Sequence, residues 1–408
     1  MTATTVLTAT HPLPTPPFTA TGPRYSVSIG YLRAFVTLLV VAHHAALAYH
    51  PFAPPPPASL NDQTRIWPAF PLVDPERWNG FALLVGFNDI FFMALMFFIS
   101  GLFVWQSLKR KGAGSFLRDR AIRLGLPFMV AAGLIAPLAY YPTYLQTGGG
   151  GIAGFSEQWS SLGNWPAGPA WFVWLLLAFD GIAGALFLCT PAWGDVWARI
   201  SGGRRPVVFF ALLVCLSAAA YVPLAVVFNP YRWSSFGPFF FQTSRGLNYL
   251  LYFFLGVGVG AYGIDRGLLA PDGRLARRWP LWCVAALLAF GLATGVGLAA
   301  LTAHLGSRRW EIAGDVTFVI SCAASSLALL ALFVRFARTP GRVRDSLTKN
   351  AYGIYLIHYA FVSWLQLALL KAHMDAMAKG ALVFLGALLL GWGTTAGLRR
   401  IPAIARVI

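Results

Sequence analysis

Apolar residues run along this chain in blocks that are too long and too continuous for a helix or strand facing water. Blocks of roughly 20 residues, the length that crosses a bilayer as an α-helix, fall at 29–49, 82–106, 121–142, 170–190, 206–228, 246–263, 280–303, 312–334, 350–370 and 380–398. The pattern predicts an all-α polytopic integral membrane protein of about ten transmembrane helices. No helical period orients these blocks, because lipid-facing and packed faces are both apolar. The informative positions are the polar ones inside them. One membrane domain over 29–401 accounts for almost the whole chain, between a Thr/Pro-rich tail at 1–28, expected to be disordered, and a short tail at 402–408.

Three segments between blocks stand out: "HPFAPPPPASLNDQTRIWPAFPLVDPERW" (50–78), "YLQTGGGGIAGFSEQWSSLGNWPAGPAW" (144–171) and "NPYRWSSFGPFFFQTSR" (229–245). Their prolines and glycines are expected to keep regular helix out. Their tryptophans suit sugar-stacking platforms or, more commonly, an aromatic belt at the membrane interface.

Composition agrees with the blocks: 57% of the 408 residues are hydrophobic and 11% charged. The formal net charge of +17 would suggest nucleic acid in a water-soluble protein. Here it alternates by loop and reads as topology instead, with no nucleic-acid partner. Lys109, Arg110, Lys111 and Arg118 follow the second block; Arg199, Arg204 and Arg205 the fourth; Arg266, Arg274, Arg277 and Arg278 the sixth; Arg335, Arg338, Arg342, Arg344 and Lys349 the eighth; Arg399, Arg400 and Arg406 the tenth. The stretch from Thr143 to Pro169 has no basic residue, and only Arg232 lies between Pro230 and Ser244. Basic loops stay in the cytoplasm, so both termini are expected inside. No cationic run precedes a short apolar core near the start, so no cleavable signal is expected. The cysteines, Cys189, Cys215, Cys283 and Cys322, are isolated and predict neither a disulfide framework nor a metal site.

Candidate chemistry lies in "YLRAFVTLLVVAHHAALAYH" (31–50). Arg33 and His44 are eleven positions apart, which at 100° per residue returns to nearly the same helix face, roughly 16 Å along the axis. His43 points about a quarter turn away. An ionisable residue within the membrane is a functional candidate by default. Competing explanations are snorkelling of Arg33 to the interface and a packing hydrogen bond for His44. Asp89, Asp180 and Asp315 also fall inside blocks. Each is expected to face the bundle interior, beside an arginine or histidine.

Several motifs, taken together, resemble the acyltransferase 3 family of membrane-bound O-acyltransferases. They are Arg33 with ten residues before His44, "FFISG" at 97–101, "FLRDRAIRLGLP" at 116–127 with Arg120, Arg123 and Pro127, "PAWFVWLLLAFD" at 169–180, and "SLTKNAYGIYLIHYAFV" at 346–362. No one of them is specific alone; their order over ten spans is. Departures exist. Where some branches carry a W-S-L-x-x-E segment or a histidine ahead of the Trp-Phe pair, this chain has Gly168, Pro169 and Ala170, so neither branch's acceptor carries over. The chain ends at Ile408 without the extracytoplasmic hydrolase-like domain of other members. Transfer is therefore expected to finish in the membrane domain or on a partner.

The resemblance implies a multi-pass protein of a bacterial inner membrane. It would move an acyl group, acetyl or succinyl, from cytoplasmic acyl-CoA to a hydroxyl of a carbohydrate or glycosylated acceptor at the outer face, without a metal. In that scheme His44 deprotonates the acceptor hydroxyl as general base, the preferred role, or accepts the acyl group transiently, and Arg33, Arg120 and Arg123 hold the donor's phosphates. Ser100, Trp171, Tyr355 and His358 are candidates for the acceptor channel. For Ser100 close helix approach is the commoner use, and for His358 and Tyr355 interhelical hydrogen bonding is the alternative. The rival function is a proton-coupled secondary transporter. That class is often built from repeats, yet the later half holds no second copy of the Arg and His pattern.

Overall fold

A backbone in hydrocarbon must satisfy its own hydrogen bonds, so the apolar blocks become helices. The computed structural model describes residues 23–56, 58–61, 69–203, 205–302 and 308–408. Most of the expected tail at 1–28 lies outside the described residues, as does Arg204. The spanning helices are α1 (Pro23–Leu47), α2 (Gly80–Gly101), α3 (Val104–Gln146), α4 (Trp171–Cys189), α5 (Pro206–Phe228), α6 (Gly246–Tyr262), α7 (Trp279–Thr302), α8 (Arg308–Phe336), α9 (Arg342–Leu369) and α10 (Ala376–Leu398). Among the described residues nine are long and apolar enough to cross on their own. The shorter α6, read from Thr243 and joined to Gly267–Arg277 across an 83° bend, supplies the tenth.

The helices are arranged by what they can bury. Most of α1 and α8 is buried, whereas α5, α7 and α10 expose most of their surface and form the rim. α2 crosses α6 with backbones in contact: a Cβ on Gly101 would lie 2.1 Å from Phe253 O, one on Gly256 2.1 Å from Phe98 O, and one on Gly260 1.9 Å from Leu102 O. Only glycine fits at these three positions, the usual device where no hydrophobic drive separates helices from lipid. α9 packs on α1, α3 and α10, completing the half of the bundle that carries α1's polar face.

Side-chain contacts show which helix ends share a side. At the basic end Ser28 Oγ donates to Ala337 O (2.8 Å), the Tyr31 hydroxyl to Asp345, and Arg123 Nε to Arg406 O (3.4 Å). At the opposite end Gln146 Nε2 donates to Val73 O (2.6 Å), and Lys379 Nζ lies 2.9 Å from Asp74 Oδ2, both side chains being 1% exposed.

Two expectations need correction. The second block does not continue to 106: α2 stops at Gly101, and a separate helical run begins at Val104 and is interrupted at Gly112 (φ +74°). The charged stretch 109–120 therefore belongs to the start of α3. Helix also enters the second polar segment, over Ile152–Ser160. Gly151 (φ +79°) starts it, and Phe155 and Trp159, one turn apart, bury against Tyr140 and Tyr144. Glycine here launches a helix instead of excluding one. The third segment forms an antiparallel hairpin, β1 (Trp233–Phe236) and β2 (Phe239–Gln242), turning at Gly237 (φ +56°).

α3 is the least regular span. It has π-helical turns at Ala121–Gly125 and Ala131–Ile135, and prolines at 127, 137 and 142 that remove helix donors. In this span three carbonyls accept from other elements instead. The Tyr352 hydroxyl donates to Arg123 O (2.8 Å), Trp165 Nε1 to Ala132 O (2.7 Å), and Trp364 Nε1 to Leu138 O (3.0 Å). Two of those donors stand on α9, so the proline-broken helix is fastened to the helix that carries Tyr355 and His358.

Candidate active site

Because α1 is unbroken helix from Pro23 to Leu47, Arg33 and His44 share one face. Arg33 is exposed although its neighbours Leu32 and Ala34 are buried. Arg123 is close enough to repel it, and the charges of Arg123 and Arg120 both reach Tyr352 on α9. The three arginines are thus gathered near the basic end between α1, α3 and α9. Arg120 is partly committed: its Nε lies 3.2 Å from Asp180 Oδ2 on α4, a carboxylate with no exposure. The contact lacks hydrogen-bond alignment, so it balances charge without fixing orientation. Among the described residues neither Arg33 nor Arg123 has an acidic partner.

His44 lies half-buried toward the opposite end. Its Nδ1 is 2.8 Å from Val40 O and 3.1 Å from His358 Nε2, and its ring meets Tyr359 edge-on at 5.0 Å. Gln366 Nε2 donates to the carbonyls of His44 (3.1 Å) and Ala45 (3.3 Å), fastening this end of α1 to α9. His358 is fully buried, with Nδ1 2.6 Å from Tyr355 O, and the Tyr355 hydroxyl donates to Pro169 O. The turn at 168–170 can sit this close because Gly168 has φ +56° and no side chain against Tyr359. His43 is different. It is buried against Phe92 (5.1 Å), and its Nδ1 has no partner.

Of the other sequence candidates, Tyr355 and His358 are brought to His44. Ser100 is turned to its own helix, Oγ donating to Met96 O (2.8 Å) beside the Gly101 crossing. Trp171 stacks on Tyr249 (5.7 Å) and meets Trp233 edge-on (5.6 Å), away from the histidine pair. The aspartates inside the spans find partners: buried Asp180 has Arg120, and Asp89, midway along α2 with its side chain 41% exposed, has the buried Arg245 (2.6 Å), whose guanidinium also donates to Asp89 O and lies over Phe318 (4.7 Å). Asp315 is near enough to Arg245 to feel its charge. Arg245 was not singled out by sequence reasoning. The available signal was a lone arginine directly before an apolar block, on the side otherwise poor in cations. Just beyond α1, burial and the neighbouring Arg77 hold His50 below the ordinary histidine range, so it adds no charge there at neutral pH.

The arrangement sets two polar sites on one helix face. It has a cation cluster suited to anionic groups at one end, a half-open imidazole roughly 16 Å along the same helix face, and apolar helices around both. The acyltransferase 3 family model, described as an acyltransferase domain, matches residues 26–396. No curated protein and no solved structure matches the chain.

Proposed function

We propose, because this chain belongs to the acyltransferase 3 family, that it transfers an acyl group, acetyl or succinyl, from acyl-CoA to a hydroxyl of a carbohydrate or glycosylated acceptor. Multi-pass membrane placement and acyltransferase activity follow from the family and the helices. The donor, the acceptor, the sides from which each arrives and a bacterial inner membrane are our reading. One observation carries it: Arg33 and His44 on one face of α1, with Arg120 and Arg123 gathered at the Arg33 end.

The donor's phosphates need cations, and arginine offers planar, paired donors to them. Arg33 and Arg123, free of carboxylates, are suited to bind them, with Arg120 held nearby by Asp180. The pantetheine arm then runs along α1 toward His44. There the imidazole removes the acceptor hydroxyl's proton as the oxygen attacks the thioester carbonyl. A C–O bond forms, the tetrahedral oxyanion collapses, the C–S bond breaks, and the departing thiolate takes the proton back from the imidazolium. The product is an ester and free coenzyme A. The basic end faces the cytoplasm, where acyl-CoA is made, and the aromatic segments at the opposite end receive the acceptor.

Mass spectrometry of surface glycans from cells lacking the gene and from the parent tests this reading. The expected result is loss of one acyl mass from a glycan, restored by the wild-type gene and not by His44→Ala. An unchanged acyl content, or restoration by His44→Ala, would overturn it.

A further inference from the structure

We infer that His358 is the positioning residue of His44: it holds the His44 proton on Nδ1 and leaves Nε2 bare toward the half-open side, where a hydroxyl would be deprotonated. The role in transfer rests on the reading of His44 as the base; the proton placement does not.

Each ring faces a backbone carbonyl, which can only accept. Val40 O lies 2.8 Å from His44 Nδ1, and a carbonyl facing a bare ring nitrogen at that distance would set lone pair against lone pair. Nδ1 therefore carries the proton. The same holds for His358, whose Nδ1 faces Tyr355 O at 2.6 Å. A neutral imidazole has one donor and one acceptor, so His358 Nε2 is the acceptor, and it sits 3.1 Å from His44 Nδ1. The two assignments agree without conflict and make one directed chain. His44 Nδ1–H donates to Val40 O and His358 Nε2, and His358 Nδ1–H donates to Tyr355 O.

Val40 O alone would hold the tautomer weakly, because that carbonyl is also the helix acceptor for the backbone N–H of residue 44. His358 supplies an acceptor that is not shared. It comes from another helix, is fully buried and is fixed by its own bond, so it sets ring rotation as well as proton position. It also matters most when His44 has taken the hydroxyl proton. The Nδ1–H of an imidazolium is a stronger donor, and among the described residues no carboxylate forms an ion pair with His44. The His358 acceptor stabilises that passing charge through the same bond. Tyr355, through its carbonyl and through its hydroxyl on Pro169 O, ties the same chain to the turn at 168–170.

Nitrogen NMR of ring-labelled histidine in purified protein in lipid nanodiscs reads the tautomer directly, the His44 signal being identified by its loss in His44→Ala. Wild type should show a single His44 form, protonated on Nδ1. His358→Phe keeps the ring volume and removes the acceptor, so the His44 signal should divide between tautomers. His358→Gln, whose amide oxygen can accept in the same direction, should restore the single form. In acyl transfer His358→Phe should lose more than the share of His44 that leaves the Nδ1–H form, because support of the imidazolium goes as well: about tenfold in kcat with donor KM unchanged, short of the roughly 10²–10⁴-fold that the base itself contributes, and His358→Gln should recover most of it. A wild-type His44 protonated on Nε2 overturns the inference without any variant, even if His358→Phe fails to fold. A single Nδ1–H tautomer retained in His358→Phe reduces His358 to packing. Divided tautomers with undiminished transfer would remove the role of His358 in catalysis, while the reading of His44 as base stands or falls on His44→Ala.

Discussion

Removing the ammonium of Lys379 should destabilise the protein more than almost any other single side-chain change, and removing its partner as well should restore most of the loss. Lys379 opens α10 and reaches Asp74 in the segment between α1 and α2, with Nζ 3.0 Å from Oδ1 and 2.9 Å from Oδ2. Both side chains are 1% exposed, so neither charge has water to fall back on. Deleting one partner of such a pair costs about 3–5 kcal/mol, because the other charge stays buried and uncompensated. At 1.4 kcal/mol per decade that is roughly two to four powers of ten in the unfolding equilibrium. Replacing both by apolar residues of similar volume is often close to neutral. Here Asp74→Leu also removes the acceptor for Glu76 N (2.9 Å), a net loss of about 1 kcal/mol. Lys379→Met alone should therefore cost about 3–5 kcal/mol, and Asp74→Leu with Lys379→Met about 1–2 kcal/mol. Reversible unfolding in mixed micelles of rising denaturing-detergent fraction, followed by tryptophan fluorescence, measures both. Lys379→Met within about 0.5 kcal/mol of wild type, or a double variant no more stable than the single one, would refute the claim that this pair is dry.

His44→Ala should lose roughly 10²–10⁴-fold in transfer while still reaching the membrane. His43→Phe should keep activity, because it removes an imidazole whose Nδ1 has no partner and leaves a ring against Phe92; acyl content of the glycan in complemented cells separates the two. Arg33→Ala and Arg123→Ala should weaken acyl-CoA binding to purified protein, measured by calorimetry, more than Arg120→Ala, whose charge is already balanced by Asp180. Added salt should weaken wild-type binding in the same direction.

The spans were legible because twenty apolar residues in a row have few other uses, and the arginine and histidine of α1 because their spacing is set by one helix. What the sequence concealed depends on contacts between helices. Nothing local to Asp89 names Arg245 as its partner 156 residues away. His358 reads equally well as channel lining or as packing until α9 is laid against α1. The end of α2 at Gly101 is hidden inside an apolar run, and nothing local marks the contact that Gly101 makes with the backbone of α6. The prolines of α3 announce a disturbed helix, but not that Tyr352, Trp165 and Trp364 supply the missing donors. Gly151 looks locally like a helix breaker, yet its positive φ turns the chain into the helix at Ile152–Ser160.

A donor held at the basic end should acylate an acceptor at the other end through one protein. Sealed proteoliposomes of purified protein test it most directly. They are loaded with glycan extracted from cells lacking the gene and given acyl-CoA, labelled in the acyl group, on the basic face alone. Label is expected in ester linkage on the enclosed glycan with no intact coenzyme A inside, and no ester is expected with His44→Ala. Labelled acyl-CoA accumulating inside without ester formation, or ester appearing only when glycan and donor share a side, would contradict it.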